Sequence, residues 1–180
     1  MSDSIPAKHS PARFSTYFVA HENNMAQVRR SGFVGEDTLV VEAYPTSPPV
    51  WSLLGEISCK GEIILSVTKI LERVSDDPDP LIQTIRYSYH AFVRGGGNIL
   101  RYDNNHSRQD HIDDHHKHVI DTKTGEETVE WIGAERWPTL GEVLRELMDW
   151  HGRNYTMLPN PEAFANPENI INRLDSGLLP

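Results

Sequence analysis

Leu81–Val93 alternates well, with Ile82, Thr84, Arg86, Ser88 and His90 on one face and Leu81, Ile85, Tyr87, Tyr89 and Ala91 imperfectly on the other. A period of two marks a strand. Ile63, Leu65, Val67, Lys69 and Leu71 alternate in the same way with Ile64, Ser66, Thr68 and Ile70 inside Glu62–Val74. Further strands are expected at Thr38–Tyr44, Leu53–Lys60, Asn98–Tyr102, His116–Asp121 and Thr128–Ile132. Gly61, Gly95–Gly97 and Lys123–Gly125 separate consecutive runs as turns, and Ser75–Pro80 (SDDPDP) is loop by composition. Connections this short join antiparallel neighbours.

The period changes to that of a helix at Leu140–Trp150, where Leu140, Val143, Leu144, Leu147 and Met148 form one stripe. Thr139 and Glu142 make a capping box, and Gly152 is the expected stop. Phe14, Tyr17, Phe18, Met25 and Val28 suit a second helix, closed by Arg29, Arg30 and Gly32. The expected fold is α+β: an antiparallel sheet of about five to seven strands with the helix at about 140–150 packed on one face. Residues 1–50 read as an N-terminal arm with a helix and a short strand, and 51–152 as the core domain. Residues 153–180 read as a C-terminal extension with a short helix starting at Asn166–Pro167.

Composition narrows the function. The net charge of −9 over 180 residues excludes a protein that coats DNA by bulk charge, while leaving a local nucleic-acid site open. Cys59 is the only cysteine, so no intrachain disulfide forms and a reducing cytoplasm is the expected location. The N-terminus lacks the apolar core of a signal peptide, and no run reaches membrane-span length. The oligomeric state is open, self-association included.

Chemistry concentrates in Arg101–His118 (RYDNNHSRQDHIDDHHKH). Five of the nine histidines lie between His106 and His118. His116 and His118 are two apart, so on a strand they share a face. Such a pair, with His106 or an aspartate, offers metal ligands. No HExxH or CxxC pair occurs, and the cupin-type glutamate is replaced by Thr122 and Lys123. No metal or other cofactor is therefore expected. The alternative is metal-free acid–base chemistry on RNA, which needs a base, an acid and cations for the phosphorane-like transition state. His106, His116 and His118 are the acid–base candidates, with His118 held as a general acid by the Val119-Ile120 run. Arg101 and Lys117 are phosphate clamps, and Asp103 orients a histidine or holds Arg101. On a regular strand Lys117 faces away from both histidines. Tyr87 and Tyr89 are either sheet packing or a stacking surface for bases. His111 and His115 read as solvated loop. Arg101 and His106 also fit a short R-x4-H string of helical ribonucleases, but Tyr102–Asn105 reads as a turn.

Tyr87-x-Tyr89, the glycine turn, Leu100-Arg101-Tyr102-Asp103-Asn104 with His106, then His116-Lys117-His118, then Pro138-Thr139 opening a helix, form an ordered series. Over Leu54–Trp150 this series resembles the TumE family of toxin components. The resemblance implies a small α+β toxin of a type II toxin–antitoxin pair, encoded beside a DNA-binding antitoxin. It implies nuclease action and matches Arg101, Asp103, His106, His116, Lys117 and His118. The expected function is thus a metal-independent ribonuclease, with RNA as substrate and a helix-turn-helix antitoxin as partner. The rivals are a metal-dependent hydrolase using His106, His116 and His118, and a non-catalytic interaction module. The chain departs from typical members in the long segments flanking the match and in the acidic stretch Ser107–Asp114.

Overall fold

The computed structural model of the chain describes residues 8–104, 114–121 and 124–154. Its elements are β1 (Ala12–Arg13), α1 (Phe14–Arg30), β2 (Val34–Asp37), β3 (Val40–Tyr44), β4 (Val50–Cys59), β5 (Ile63–Arg73), β6 (Leu81–Val93), β7 (Asn98–Asp103), β8 (His116–Ile120), β9 (Glu127–Trp131) and α2 (Leu140–Asn154). The strands make one sheet of nine, in the order β2-β4-β5-β6-β7-β8-β9. All pairings are antiparallel. The arrangement is α+β, as the alternation predicts. From β4 to β9 each strand pairs with the next in sequence, a meander that tight turns allow.

The first strands are less regular. β2 and β3 both pair with β4, and the chain passes between them at Thr38 and Leu39, over Gly55. Gly55 has φ +144°, and a Cβ there would lie 2.5 Å from the Thr38 carbonyl oxygen. Glycine is required at that crossing. β1 pairs with the start of β6, and both β1 and β2 are too short to show periodicity in sequence. The 1–50 segment, expected as an arm, contributes Met25, Val28, Phe33 and Val34 to the core.

Two faces divide the sheet. Ile57, Ile63, Leu65, Val67, Tyr87, Tyr89, Ala91, Leu100 and Tyr102 are buried with α1 and α2. α2 contributes Leu140, Val143, Leu144 and Leu147, whereas Met148 is 37% exposed and lies outside the stripe expected for it. The capping box forms: Glu142 accepts from the Thr139 backbone N–H at 2.7 Å, and the Glu142 N–H donates to Thr139 Oγ1 at 3.3 Å. Gly152 does not stop the helix. The last turn is held by Arg153 donating to the Asp149 carbonyl and Asn154 to that of Trp150, so carbonyls that a glycine cap would satisfy have side-chain donors.

Alternation in β6 is broken once. Ile70 faces Arg86 and Leu71 faces Thr84, so Ile85 is an extra residue. Beyond this bulge Ile82 is buried, 1% exposed, and Ile85 is 39% exposed. Among the described residues no helix is long and apolar enough to cross a membrane. The expected helix at Asn166–Pro167 lies outside the described residues.

Candidate functional site

β7 and β8 pair with Arg101 opposite His118 and Asp103 opposite His116. Directly opposed residues share a face, and so do residues two apart on one strand. Register and period together place all four side chains on one patch. The alternate positions, Tyr102 and Lys117, point the other way, toward α2. There Tyr102 Oη donates to Glu146 at 2.8 Å and Lys117 Nζ at 2.6 Å, tying the helix to both strands. α2 thus covers one side of β7–β8 and leaves the polar patch on the other.

The patch is buried. Asp103, His116 and His118 are 3%, 2% and 7% exposed. Charged groups at such depth must be paired, and these are. Asp103 Oδ1 lies 3.0 Å from His116 Nε2. Asp103 Oδ2 lies 2.9 Å from Arg101 Nε, within ion-pair range though not aligned as a hydrogen bond. The second carboxylate oxygen is also 3.9 Å from His118 Nε2. Arg101 Nη2 is 2.6 Å from His118 Nε2. His118 Nδ1 contacts Glu127, which lies on β9.

The donor–acceptor pattern assigns the tautomers. A guanidinium only donates, so His118 Nε2 carries its lone pair toward Arg101 and Nδ1–H donates to Glu127. His118 is neutral in this arrangement. Burial pushes its pKa below the ordinary value; Glu127 opposes that shift, and the Arg101 charge reinforces it. His116 differs. Its Nδ1 faces the Asp114 backbone carbonyl at 2.8 Å, and a carbonyl only accepts, so Nδ1 bears hydrogen. The contact between Nε2 and Asp103 is a hydrogen bond only when a proton lies between them. One histidine can therefore take a proton while the other holds one. The open flank is formed by Arg101 and Glu127, whose side chains are 35% and 46% exposed.

Asp103, His116 and His118 each also offer one metal-ligand atom, and these atoms lie within 4.8 Å of one another. Both imidazoles have Nδ1 held by an oxygen, the usual orientation of metal-binding histidines. The Arg101 guanidinium lies against the same Asp103 and His118 atoms, so a cation already faces them.

Four expected residues are brought together: Arg101, Asp103, His116 and His118. Lys117 is not among them, because it belongs to the α2 face, where it also lies 5.2 Å from the Tyr102 ring centroid. Tyr87 and Tyr89 lie on that covered face too, 2% and 0% exposed, and offer no surface to a base. Tyr87 instead stacks on Trp137 at 4.4 Å. His115, expected as solvated loop, also packs there, 5.7 Å from the Trp137 ring and 3.1 Å from the Tyr87 hydroxyl. His106 and His111 lie outside the described residues. Glu127 was not anticipated. It stands opposite Ile120, two residues from the position facing His118, and only the register across the β8–β9 turn reveals it.

No curated protein and no solved structure matches the chain. A family model described as Toxin TumE matches residues 28–153. That span takes in β2–β9, α2 as far as Arg153 and the clustered Arg101, Asp103, His116 and His118, and so the chain belongs to the TumE family of toxins.

Proposed function

We propose that this toxin is a metal-independent ribonuclease in which His118 is the general base and the His116–Asp103 pair is the general acid. The supporting observation is the buried convergence of a neutral imidazole, an imidazole–carboxylate pair and a guanidinium on one sheet face. His118 Nε2, once Arg101 turns to substrate, takes the proton of a ribose 2′-hydroxyl. The 2′-oxygen attacks the adjacent phosphorus, and the bond to the 5′-oxygen breaks. The proton between His116 and Asp103 passes to that leaving oxygen. Arg101 neutralises charge on the non-bridging oxygens as it develops. The lowered pKa of His118 suits a base, which reverses the acid role expected from sequence. Asp103 positions both Arg101 and His116. As a toxin it would be paired with an antitoxin protein, for which a helix-turn-helix type remains the expectation, and its RNA substrate would enter at the Arg101–Glu127 flank.

A second reading follows from the ligand geometry: a divalent ion held by Asp103, His116 and His118 after displacement of Arg101. Expression of His118→Ala, Arg101→Ala and Lys117→Ala beside wild type tests both readings. The first two should abolish growth inhibition and RNA cleavage at normal soluble yield. Lys117→Ala should stay toxic and lose about 1 kcal/mol of stability, the usual scale of a partly exposed ion pair. Cleavage should survive EDTA. Wild-type toxicity in His118→Ala would remove the histidine mechanism. Loss of cleavage in EDTA, restored by zinc, would favour the metal reading.

A further inference from the structure

The face opposite Asp103 and His118 has its own concavity. A cavity of about 250 Å³ lies between α1, the start of α2 and the sheet. Lys69 enters it from β5 and is only 8% exposed. Its ammonium contacts the Tyr17 hydroxyl and sits 4.8 Å from that ring's centroid. Among the described residues no carboxylate forms an ion pair with it, and no Asp or Glu lines the cavity. Glu142, at the nearby start of α2, is engaged by Lys8 and by Thr139.

This composition is unexpected in a chain with 26 acidic and 17 basic residues. A buried ammonium with no counter-charge costs stability. A group of that kind facing a cavity is suited to a ligand that supplies the charge. The surrounding wall offers donors. Tyr17 and Thr84 bring hydroxyls and Asn24 an amide. Leu140 and Gly141 lie in the first turn of a 15-residue helix, where backbone N–H groups have no intrahelical partner and the dipole is positive. Burial is the main cause of the lowered pKa of His9, to about 4, and of His21, and the charge of Lys69 adds to both.

We propose that this cavity is a binding site for a small oxyanion of the phosphate class, with Lys69 as its counter-charge. The inference is independent of the ribonuclease reading, since the sheet separates the two sites.

The test uses the full chain with inorganic phosphate, AMP and sodium chloride at matched ionic strength, read by calorimetric titration and thermal melting. Phosphate should bind saturably and raise the melting temperature of wild type beyond the chloride control. Lys69→Met should weaken phosphate binding about tenfold or more, the loss expected for one charge-assisted contact, and should melt no lower than wild type without ligand. Tyr17→Phe keeps the lysine and should weaken binding severalfold, which preserves the test if Lys69→Met does not fold. Tighter binding of AMP than of phosphate assigns the site to nucleoside phosphates; equal or weaker binding assigns it to phosphate itself. No saturable binding of either below about 10 mM overturns the proposal. So does a phosphate response kept in Lys69→Met but lost in Arg101→Ala, which places the anion on the other face.

Discussion

At the scale of single residues, hydrogen-bond accounting separates groups that alternation treats alike. Tyr87 and Tyr89 share a face and are both buried, but Tyr87 Oη meets His115 whereas Tyr89 Oη has no hydrogen-bond partner among the described residues. A buried hydroxyl left unsatisfied costs about 1–3 kcal/mol. Tyr89→Phe should therefore be neutral or stabilising by about 1 kcal/mol in urea unfolding. A loss of more than that amount would show that the hydroxyl has a partner. Sequence shows the His116–His118 pair because two-residue spacing on a strand fixes a common face. It does not show the protonation states, which depend on Arg101 and Glu127 arriving from neighbouring strands. Nor does it show that Tyr87 and Tyr89 lie away from the histidines, because alternation within β6 does not say which residue of β7 stands opposite Tyr89.

At the scale of elements, runs of five residues or more were legible and the two shortest strands were not. β6 has the bounds that its alternation predicts, and α1 ends where Arg29, Arg30 and Gly32 place it. β1 and β2, of two and four residues, exist through pairing with strands already formed. The bulge at Ile85 was hidden because Ile82 and Ile85 are equally apolar, so composition cannot reveal the change of face. The crossing at Gly55 is the sharpest local constraint. Gly55→Ala meets both a positive φ and a backbone oxygen 2.5 Å from its Cβ. It should cost at least about 2 kcal/mol through strain and overpacking, lowering the chemical-denaturation midpoint with little change in slope. An alanine variant as stable as wild type would mean that β2 and β3 can part without loss.

Across the whole molecule, titration should follow burial. His9, His21, His118 and His151 all have pKa values below the ordinary 6.5, with burial the leading cause in each. The unfolded chain releases that constraint, so below pH 6.5 it binds more protons than the native state. Stability therefore rises with pH through this window and falls on acidification. The melting temperature should drop between about pH 7 and about pH 5. A melting temperature that holds or climbs over that interval would contradict the burial of these rings. The general architecture was readable because consecutive strands pair, so local pattern and global topology agree.

The register of β7 on β8 also bears on how such a chain tolerates change. Two backbone ladders set the register of the four clustered residues. Residues gained or lost between Asn104 and Asp114 leave that register unchanged, provided the ends still reach. One residue gained inside His116–His118 has the opposite effect. It turns part of β8 over, so that Lys117 or the added residue stands where an imidazole stood. Length variation in homologues should accordingly gather in the connecting segment, while the three-residue stretch from His116 to His118 keeps its length.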